Sequence, residues 1–162
     1  MNRKRIGNLG EIATAKKFIE RGIPVYLPIG DTEKADMIAE FGGKLQKIQV
    51  KSSTVSSKSS ATIFSLTSTI NSKKYIYDIN DVDYFALYDY YDDDVYLLPN
   101  SKIMKSVSLS NNAPKNNAIS NINNKEDFLF DNVIDNLLTD DEKRTMFETF
   151  PSIIDAEFSL LE

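Results

Sequence analysis

The chain has 162 residues, of which 41% are apolar and 27% charged, and its formal net charge is −5. This length suits one ordinary domain with a substantial core, and no stretch approaches the roughly 18 consecutive apolar residues of a transmembrane helix. Cysteine and histidine are absent, which excludes disulfides, thiolate zinc sites and imidazole general bases. Catalysis would therefore use carboxylates, amides, lysine or hydroxyl groups, with a cation that prefers oxygen ligands.

The charge is distributed unevenly along the chain. Residues 1–60 contain eleven Lys and Arg against six acidic residues, a net charge of +5, whereas residues 61–162 carry a net charge of −10. Because surface potential is local, an acidic total is compatible with a basic face that binds nucleic acid. It is equally compatible with an ordinary solvated surface. The N-terminus is basic and lacks the apolar run of a signal peptide, so a cytoplasmic protein without membrane association is expected.

The first predicted element is a helix over residues 8–21. Apolar residues recur at helical spacing along it, and Gly22 supplies a C-terminal stop. Asn8 is a plausible N-cap, with Glu11 at the third helical position of a capping box.

A short strand over residues 24–27 and a β-hairpin are predicted next. Residues 35–41 and 44–52 flank Gly42-Gly43, which is typical of a tight hairpin turn. Each arm alternates side chains between two faces, so Gln49 and Lys51 share one face of the second arm. Asp36 and Gln49 lie about equally far from the turn, which predicts that they stand opposite each other.

The remaining segments predict further strands and then helices. A polar loop (52–60) precedes a strand (61–66), a β-rich run (82–91), a turn (92–94) and a return strand (95–98). Residues 110–124 hold seven Asn in fifteen positions and predict a linker or mobile loop. The pattern favours an α/β or α+β core over residues 1–109, that linker, and an acidic helical C-terminal extension over residues 125–162.

Four polar side chains stand in otherwise structural segments, and together they predict a phosphodiesterase site. Asp36, the Gln49 amide oxygen and the Val50 backbone carbonyl form a donor set for a divalent cation, and Glu11 is a further candidate ligand. Mg²⁺ suits such oxygen ligands. Lys51 would position or deprotonate a water molecule, or stabilise developing charge.

Each of these residues also has an ordinary structural interpretation. Glu11 alone fits a capping box, Asp36 alone fits a strand start, and Gln49 with Lys51 fits the solvated face of an edge strand. Their order and predicted convergence favour the site.

In this order, residues 7–11 (GNLGE), Asp36 and Gln49-Val50-Lys51 resemble the PD-(D/E)xK nuclease superfamily. The most similar branch is that of the small group I intron-associated endonucleases, which are related to Holliday-junction resolvases. The resemblance continues through 22–25, 27–31, 81–88 and 95–99, and covers about residues 3–107. It implies a restriction-endonuclease-like α-β-β-β-α-β core with a mixed sheet, and Mg²⁺-dependent DNA cleavage in which Mn²⁺ substitutes.

The resemblance also implies roles for individual residues. Glu11 matches the helix glutamate, Asp36 the motif aspartate, Gln49 the D/E position and Lys51 the lysine. Ala35 departs from the motif proline, and Gln49 replaces a carboxylate, which removes one negative charge from the metal site. Glutamine at this position is known in the intron-endonuclease branch.

DNA, duplex or branched, is the implied partner. The candidate phosphate-binding side chains are all basic: Arg3, Lys4, Arg5, Lys34, Lys47 and Lys58. A double-strand cut requires two active sites, so a homodimer or homotetramer is expected. Two other hypotheses remain open from the sequence: a DNA-binding or regulatory protein weakened by Gln49, and an acidic interaction or inhibitor protein.

Overall fold

The computed structural model describes residues 2–30, 32–54, 61–70, 72–110 and 122–149. One long helix, α1 (Arg3–Glu20), comes first. Ten strands follow: β1 (Val25–Tyr26), β2 (Met37–Phe41), β3 (Lys44–Ser53), β4 (Ala61–Ser65), β5 (Thr67–Ile70), β6 (Lys73–Ile76), β7 (Tyr84–Asp89), β8 (Asp94–Pro99), β9 (Ser106–Ser110) and β10 (Ile122–Asn124). Three helices end the described chain: α2 (Lys125–Phe128), α3 (Phe130–Leu137) and α4 (Asp140–Thr149).

A mixed five-stranded sheet, in the order β1-β2-β3-β7-β8, forms the centre of the molecule. β3 and β7 run parallel, and the other neighbours in this sheet are antiparallel. A second sheet has the order β10-β9-β4, and β5 pairs with β6 as a separate hairpin. A mixed α/β class with an N-terminal helix and C-terminal helices is therefore confirmed.

The two faces of the central sheet bury different cores. On one face, α1 and α3 bring Phe18 and Phe130 together, with ring centroids 4.8 Å apart, and Phe41 stacks on Phe18. On the other face, Phe64 and Leu109 from the second sheet pack into one cluster with Phe85. Helices thus cover one face of the sheet, and strands cover the other.

The predicted start of the first helix is wrong. α1 begins at Arg3, and its N-cap is Asn2, whose side chain accepts a hydrogen bond from the Lys4 amide at 2.9 Å. Burial of Ile6 one turn ahead of Gly10 extends the packed face of the helix toward the N-terminus, so Asn8 lies within the helix and does not cap it. The helix end is confirmed, because Gly22 takes the left-handed conformation with φ +67°.

The first hairpin is confirmed with its turn. Phe41 pairs with Lys44, and both turn glycines have positive φ, +64° at Gly42 and +74° at Gly43. Two successive positive values suit a tight hairpin turn, and glycine adopts them without the steric cost that a side chain would bring.

Strands form the connection between the parallel strands β3 and β7. Its described part contains only β4, β5 and β6. Residues 61–65 alternate buried and exposed positions, with Thr62 and Phe64 facing the core, and this two-residue period suits a strand. β9 was not predicted at all.

The C-terminal segments pack against the rest of the chain. Residues 111–121 of the predicted linker and 150–162 of the predicted extension lie outside the described residues, whereas β10 pairs in parallel with β9. Glu142 on α4 accepts hydrogen bonds from the amides of Gly42 and Gly43, both at 3.2 Å. The three-part division of the chain stays a prediction.

No helix within the described ranges is long and apolar enough to cross a membrane.

Candidate active site

Asp36 lies immediately before β2, and the hairpin register brings it opposite Gln49 on β3. The Asp36 amide donates to the Ile48 carbonyl at 2.9 Å, which continues the ladder of the two strands by one residue. The Asp36 carboxylate accepts a hydrogen bond from the Val50 amide at 2.7 Å through Oδ2, and the same oxygen accepts one from Gln49 Nε2. Pairing of the two strands therefore brings Asp36 and Gln49 together, as their equal distance from the Gly42-Gly43 turn predicts.

Lys51 projects from the same face of β3 as Gln49, since two residues separate them. Its Nζ donates to the Ser68 hydroxyl at 2.8 Å and lies 5.0 Å from the centre of the Tyr77 ring. Burial lowers the pKa of Lys51 to about 8, and the nearby charge of Asp36 opposes this shift. Both the ammonium form and the neutral amine of a lysine with this pKa are populated near pH 8.

Glu11 reaches the site from α1. Its side chain is exposed, yet partial burial raises its pKa, and the negative charge of Asp36 raises it further. Burial also raises the pKa of Asp36, against the hydrogen bonds from Val50 and Gln49 and the charge of Lys51. The environment disfavours the ionised forms of both carboxylates, so a positive charge placed beside them would stabilise those forms.

A cleft of about 420 Å³ opens beside this pair of carboxylates. Glu11 and Asp36 line it together with Glu33 and the segment 27–30, which follows β1. The cleft therefore gives a phosphate group or a cation access to the two carboxylates.

Tyr77 and Ser68 belong to the site, although the sequence did not point to them. The Tyr77 hydroxyl donates to Gln49 Oε1 at 2.9 Å and lies 2.7 Å from the Ser68 hydroxyl oxygen. Ser68 is on β5, and Tyr77 follows β6, in a segment for which no strands were predicted. Neither residue carries a recognisable motif, so only the tertiary structure brings them to Gln49.

A family model for PD-(D/E)XK endonucleases matches residues 1–131. The chain belongs to the PD-(D/E)XK endonuclease family. The family resemblance of the sequence is thereby confirmed, and membership supports an endonuclease function.

The structural comparison agrees with the family. The chain is similar to the solved structure of a bacterial homing endonuclease, I-Ssp6803I, with a TM-score of 0.62 and 22% sequence identity. The match covers 75% of this chain and 86% of that one. At this identity the likeness shows the fold, and it confirms the restriction-endonuclease-like class. No curated protein matches the sequence.

The donor set of this family member is poorer in carboxylates than the motif. Among the residues that the structure describes, no three Asp, Glu, His or Cys side chains converge closely enough to hold a metal ion. Glu11 and Asp36 supply two carboxylates, while Gln49 and the Val50 carbonyl supply neutral oxygens. These are hard oxygen donors with two negative charges, so their chemistry fits Mg²⁺.

The Gln49 amide has a definite orientation in the structure. Its Nε2 faces Asp36 Oδ2 and the Val50 carbonyl oxygen, the latter at 3.3 Å, while Oε1 faces Tyr77. The amide oxygen therefore points away from the two other oxygens of the donor set.

The predicted DNA-binding residues occupy different settings. Arg3, Lys4 and Arg5 are exposed at the start of α1. Lys34 pairs with Asp81, and Lys47 Nζ donates to the Asn80 carbonyl at 2.6 Å. These last two lysines line a second cleft of about 540 Å³. Lys58 lies outside the described residues.

Proposed function

We propose that this chain is a Mg²⁺-dependent endodeoxyribonuclease that hydrolyses phosphodiester bonds in duplex or branched DNA. The observation that carries the proposal is the meeting of Asp36, Gln49 and Lys51 at the open end of the first hairpin. Glu11 and Asp36 line one cleft beside it. Family membership supports nuclease activity, and this convergence of oxygen donors with one lysine supports the metal-dependent form of it.

Mg²⁺ would be held by Asp36, Gln49 Oε1 and the Val50 carbonyl, with Glu11 as an additional ligand, and Mn²⁺ would substitute. When bound, the cation would neutralise negative charge on the scissile phosphate and increase the acidity of a water molecule.

Lys51 is the side chain that we propose to act on both the phosphate and the attacking water. Its ammonium form stabilises the negative charge that develops on the phosphate oxygens during attack. With a pKa of about 8, its neutral form is also populated near that pH and accepts a proton from the attacking water. Asp36 holds the hairpin arms in register through the Val50 amide, so the donor atoms keep their places.

DNA would be held through its phosphates by the basic residues of the N-terminal half: Arg3, Lys4, Arg5, Lys34, Lys47 and Lys58. Lys34 and Lys47 would have to exchange their present partners, Asp81 and Asn80, for phosphate oxygens. A homodimer or homotetramer would supply the two active sites that a double-strand cut requires. Homing-type and junction-resolving activities differ in the DNA geometry that is cut.

One observation favours a second candidate function. Gln49 stands where the motif has a carboxylate, and no three acidic side chains among the described residues converge closely enough to hold a metal ion. A protein with weaker metal binding would act as a DNA-binding or regulatory protein on the same fold. Such a protein would bind DNA at low salt, and it would cut no substrate with Mg²⁺ or Mn²⁺.

A cleavage panel tests the proposal. Linear duplex, supercoiled plasmid and a four-way junction are incubated with Mg²⁺ and with EDTA, using the wild type and Lys51→Ala. Lys44→Ala is the matched control, because Lys44 lies on the same strand at its far end, beside the turn. We expect cleavage by the wild type and Lys44→Ala only with Mg²⁺, and a loss of at least a hundredfold in Lys51→Ala. Undiminished cleavage by Lys51→Ala, or no cleavage of any substrate by the wild type, would contradict the proposal.

A further inference from the structure

We propose that Tyr77 is a positioning residue that controls the orientation of the Gln49 amide, and that this amide makes a half-turn about its terminal bond when a divalent cation binds. This inference rests on the proposed function. It concerns the Tyr77 hydroxyl, which neither the family match nor the motif assigns to the site.

The present orientation of the Gln49 amide is the starting point. Gln49 Nε2 donates to Asp36 Oδ2 and to the Val50 carbonyl, so an amide N–H group faces two of the oxygens proposed to hold the cation. An amide nitrogen has no lone pair to offer a cation, whereas the amide oxygen does. Gln49 can therefore join the donor set only by exchanging the positions of Nε2 and Oε1. The terminal torsion of glutamine is broad and roughly two-fold, so the exchange is conformationally accessible.

The Tyr77 hydroxyl can satisfy both orientations. It now donates to Gln49 Oε1 at 2.9 Å. After the half-turn, Gln49 Nε2 faces the same hydroxyl, which accepts from it and donates its own proton to Ser68 Oγ, 2.7 Å away. A hydroxyl is both donor and acceptor, so the same three groups stay hydrogen-bonded while the direction of their bonds reverses.

Packing holds the Tyr77 hydroxyl at this point. The side chain is only 4% exposed, and its ring makes edge-to-face contacts with Tyr75 and Phe85 at centroid distances of 5.3 and 5.4 Å. Ser68 also accepts a hydrogen bond from Lys51 Nζ at 2.8 Å. Because the ring is fixed on both sides, replacement by phenylalanine would remove the hydroxyl and keep the packing.

Magnetic resonance of the ¹⁵N-labelled protein, titrated with Mg²⁺ alone, tests the inference without measuring activity. The Gln49 side-chain amide signals are identified by their absence from Gln49→Ala. In the wild type, we expect these signals to move together with the Val50 backbone amide as Mg²⁺ is added. In Tyr77→Phe the half-turn would leave the buried Gln49 Nε2 without an acceptor, whereas in the present orientation Nε2 keeps Asp36 Oδ2 and the Val50 carbonyl as acceptors. Mg²⁺ affinity should therefore weaken by about three- to tenfold, because a buried donor without a partner is costly. Ser68→Ala should weaken it in the same direction, and provides a second variant.

Two controls separate positioning from general damage. Tyr75→Phe removes a neighbouring hydroxyl that bonds Asp81 and makes no contact with Gln49, so Mg²⁺ affinity should stay within twofold of the wild type. In the Gln49→Ala background, Tyr77→Phe should cause no further loss, because the hydroxyl has no amide to orient.

The outcomes distinguish the inference from the proposed function. If Mg²⁺ moves the Val50 amide but leaves the Gln49 side-chain signals in place, or if Tyr77→Phe and Ser68→Ala both bind Mg²⁺ like the wild type, the inference is wrong and the metal site stands. If Mg²⁺ moves none of these signals in the wild type, the proposed metal dependence fails and the inference fails with it.

Discussion

Gly10 of α1 lies directly against Ser52 of β3, so closely that a Cβ atom at position 10 would stand 2.2 Å from the Ser52 hydroxyl oxygen. The same atom would stand 3.2 Å from the Cβ of Tyr88 on β7. The Ser52 hydroxyl can rotate away, but the Tyr88 Cβ cannot, because it is attached to the backbone. This close approach of helix and sheet determines where the next residue, Glu11, enters the cleft.

Replacement of Gly10 by alanine should therefore destabilise the fold. We expect Gly10→Ala to lower the free energy of unfolding by about 1–3 kcal/mol, the usual cost of inserting a methyl group into a packed interface. Gly7→Ala is the matched control on the same helix, since a Cβ there meets nothing within 4 Å. Alanine's higher helix propensity should stabilise that variant by up to about 1 kcal/mol. Urea denaturation measures both, and equal stabilisation by the two alanines would contradict the close approach.

Lys51 should make the metal-free protein more stable as the pH rises. Its pKa is about 8 in the folded protein, against an ordinary value of 10.5, because burial disfavours the ammonium form. Between these two values the unfolded chain binds more protons than the folded one, so the free energy of unfolding increases with pH through this interval.

Lys51→Met should flatten this increase and raise the free energy of unfolding at pH 7 by about 1–3 kcal/mol, while abolishing cleavage. Urea denaturation in EDTA at several pH values from 7 to 10 measures the effect, with Lys44→Met as the control that keeps the wild-type slope. A Lys51→Met protein that is less stable than the wild type at pH 7 would argue against a buried, destabilising ammonium group.

Lys125 forms a buried ion cluster that the sequence did not reveal. Its Nζ lies 3.4 Å from the carboxylate of Asp89, which is fully buried, and 3.0 Å from that of Asp92. Asp89 also accepts a hydrogen bond from Thr62 at 3.0 Å. The cluster thus joins the first turn of α2 to the end of β7.

Lys125→Met should cost about 3–5 kcal/mol of stability, because it leaves the Asp89 charge buried without its cation. Adding Asp89→Asn should recover part of the loss by removing that charge. Lys73→Met, at an exposed position of β6, should change stability by less than about 0.5 kcal/mol. Thermal and urea denaturation of the four proteins provide the test, and a Lys125→Met variant as stable as Lys73→Met would contradict the buried pair.

The basic start of α1 should contribute to DNA affinity through phosphates alone. Replacing Arg3, Lys4 and Arg5 with alanine preserves helix propensity. The slope of log affinity for duplex DNA against log salt concentration should become shallower by about 2–3, because three phosphate contacts are lost. Binding in Ca²⁺ at several salt concentrations measures the slope. The control, Lys143→Ala with Arg144→Ala on α4, should leave it unchanged, and an unchanged slope in the triple variant would remove these residues from the DNA-binding surface.

The geometry of the first hairpin, and hence the neighbours of Asp36, could be predicted from the local sequence. The double glycine specifies a tight turn, and the two-residue period of a strand then places Gln49 opposite Asp36 and Lys51 beside Gln49. Local steric rules and strand pairing act over few residues, so the order of residues along the chain carries this information. The same segment also carries the family motif.

The rest of the site depends on long-range packing. Tyr77 reaches Gln49 from 28 residues away, and Ser68 reaches Lys51 from 17 residues away. Ser68 lies on β5 and Tyr77 directly follows β6, two strands that the sequence pattern did not reveal. Such partners are chosen by packing between layers, which no local period encodes. The orientation of the Gln49 amide follows from that packing, because the Tyr77 hydroxyl donates to its oxygen and so leaves the amide nitrogen facing Asp36.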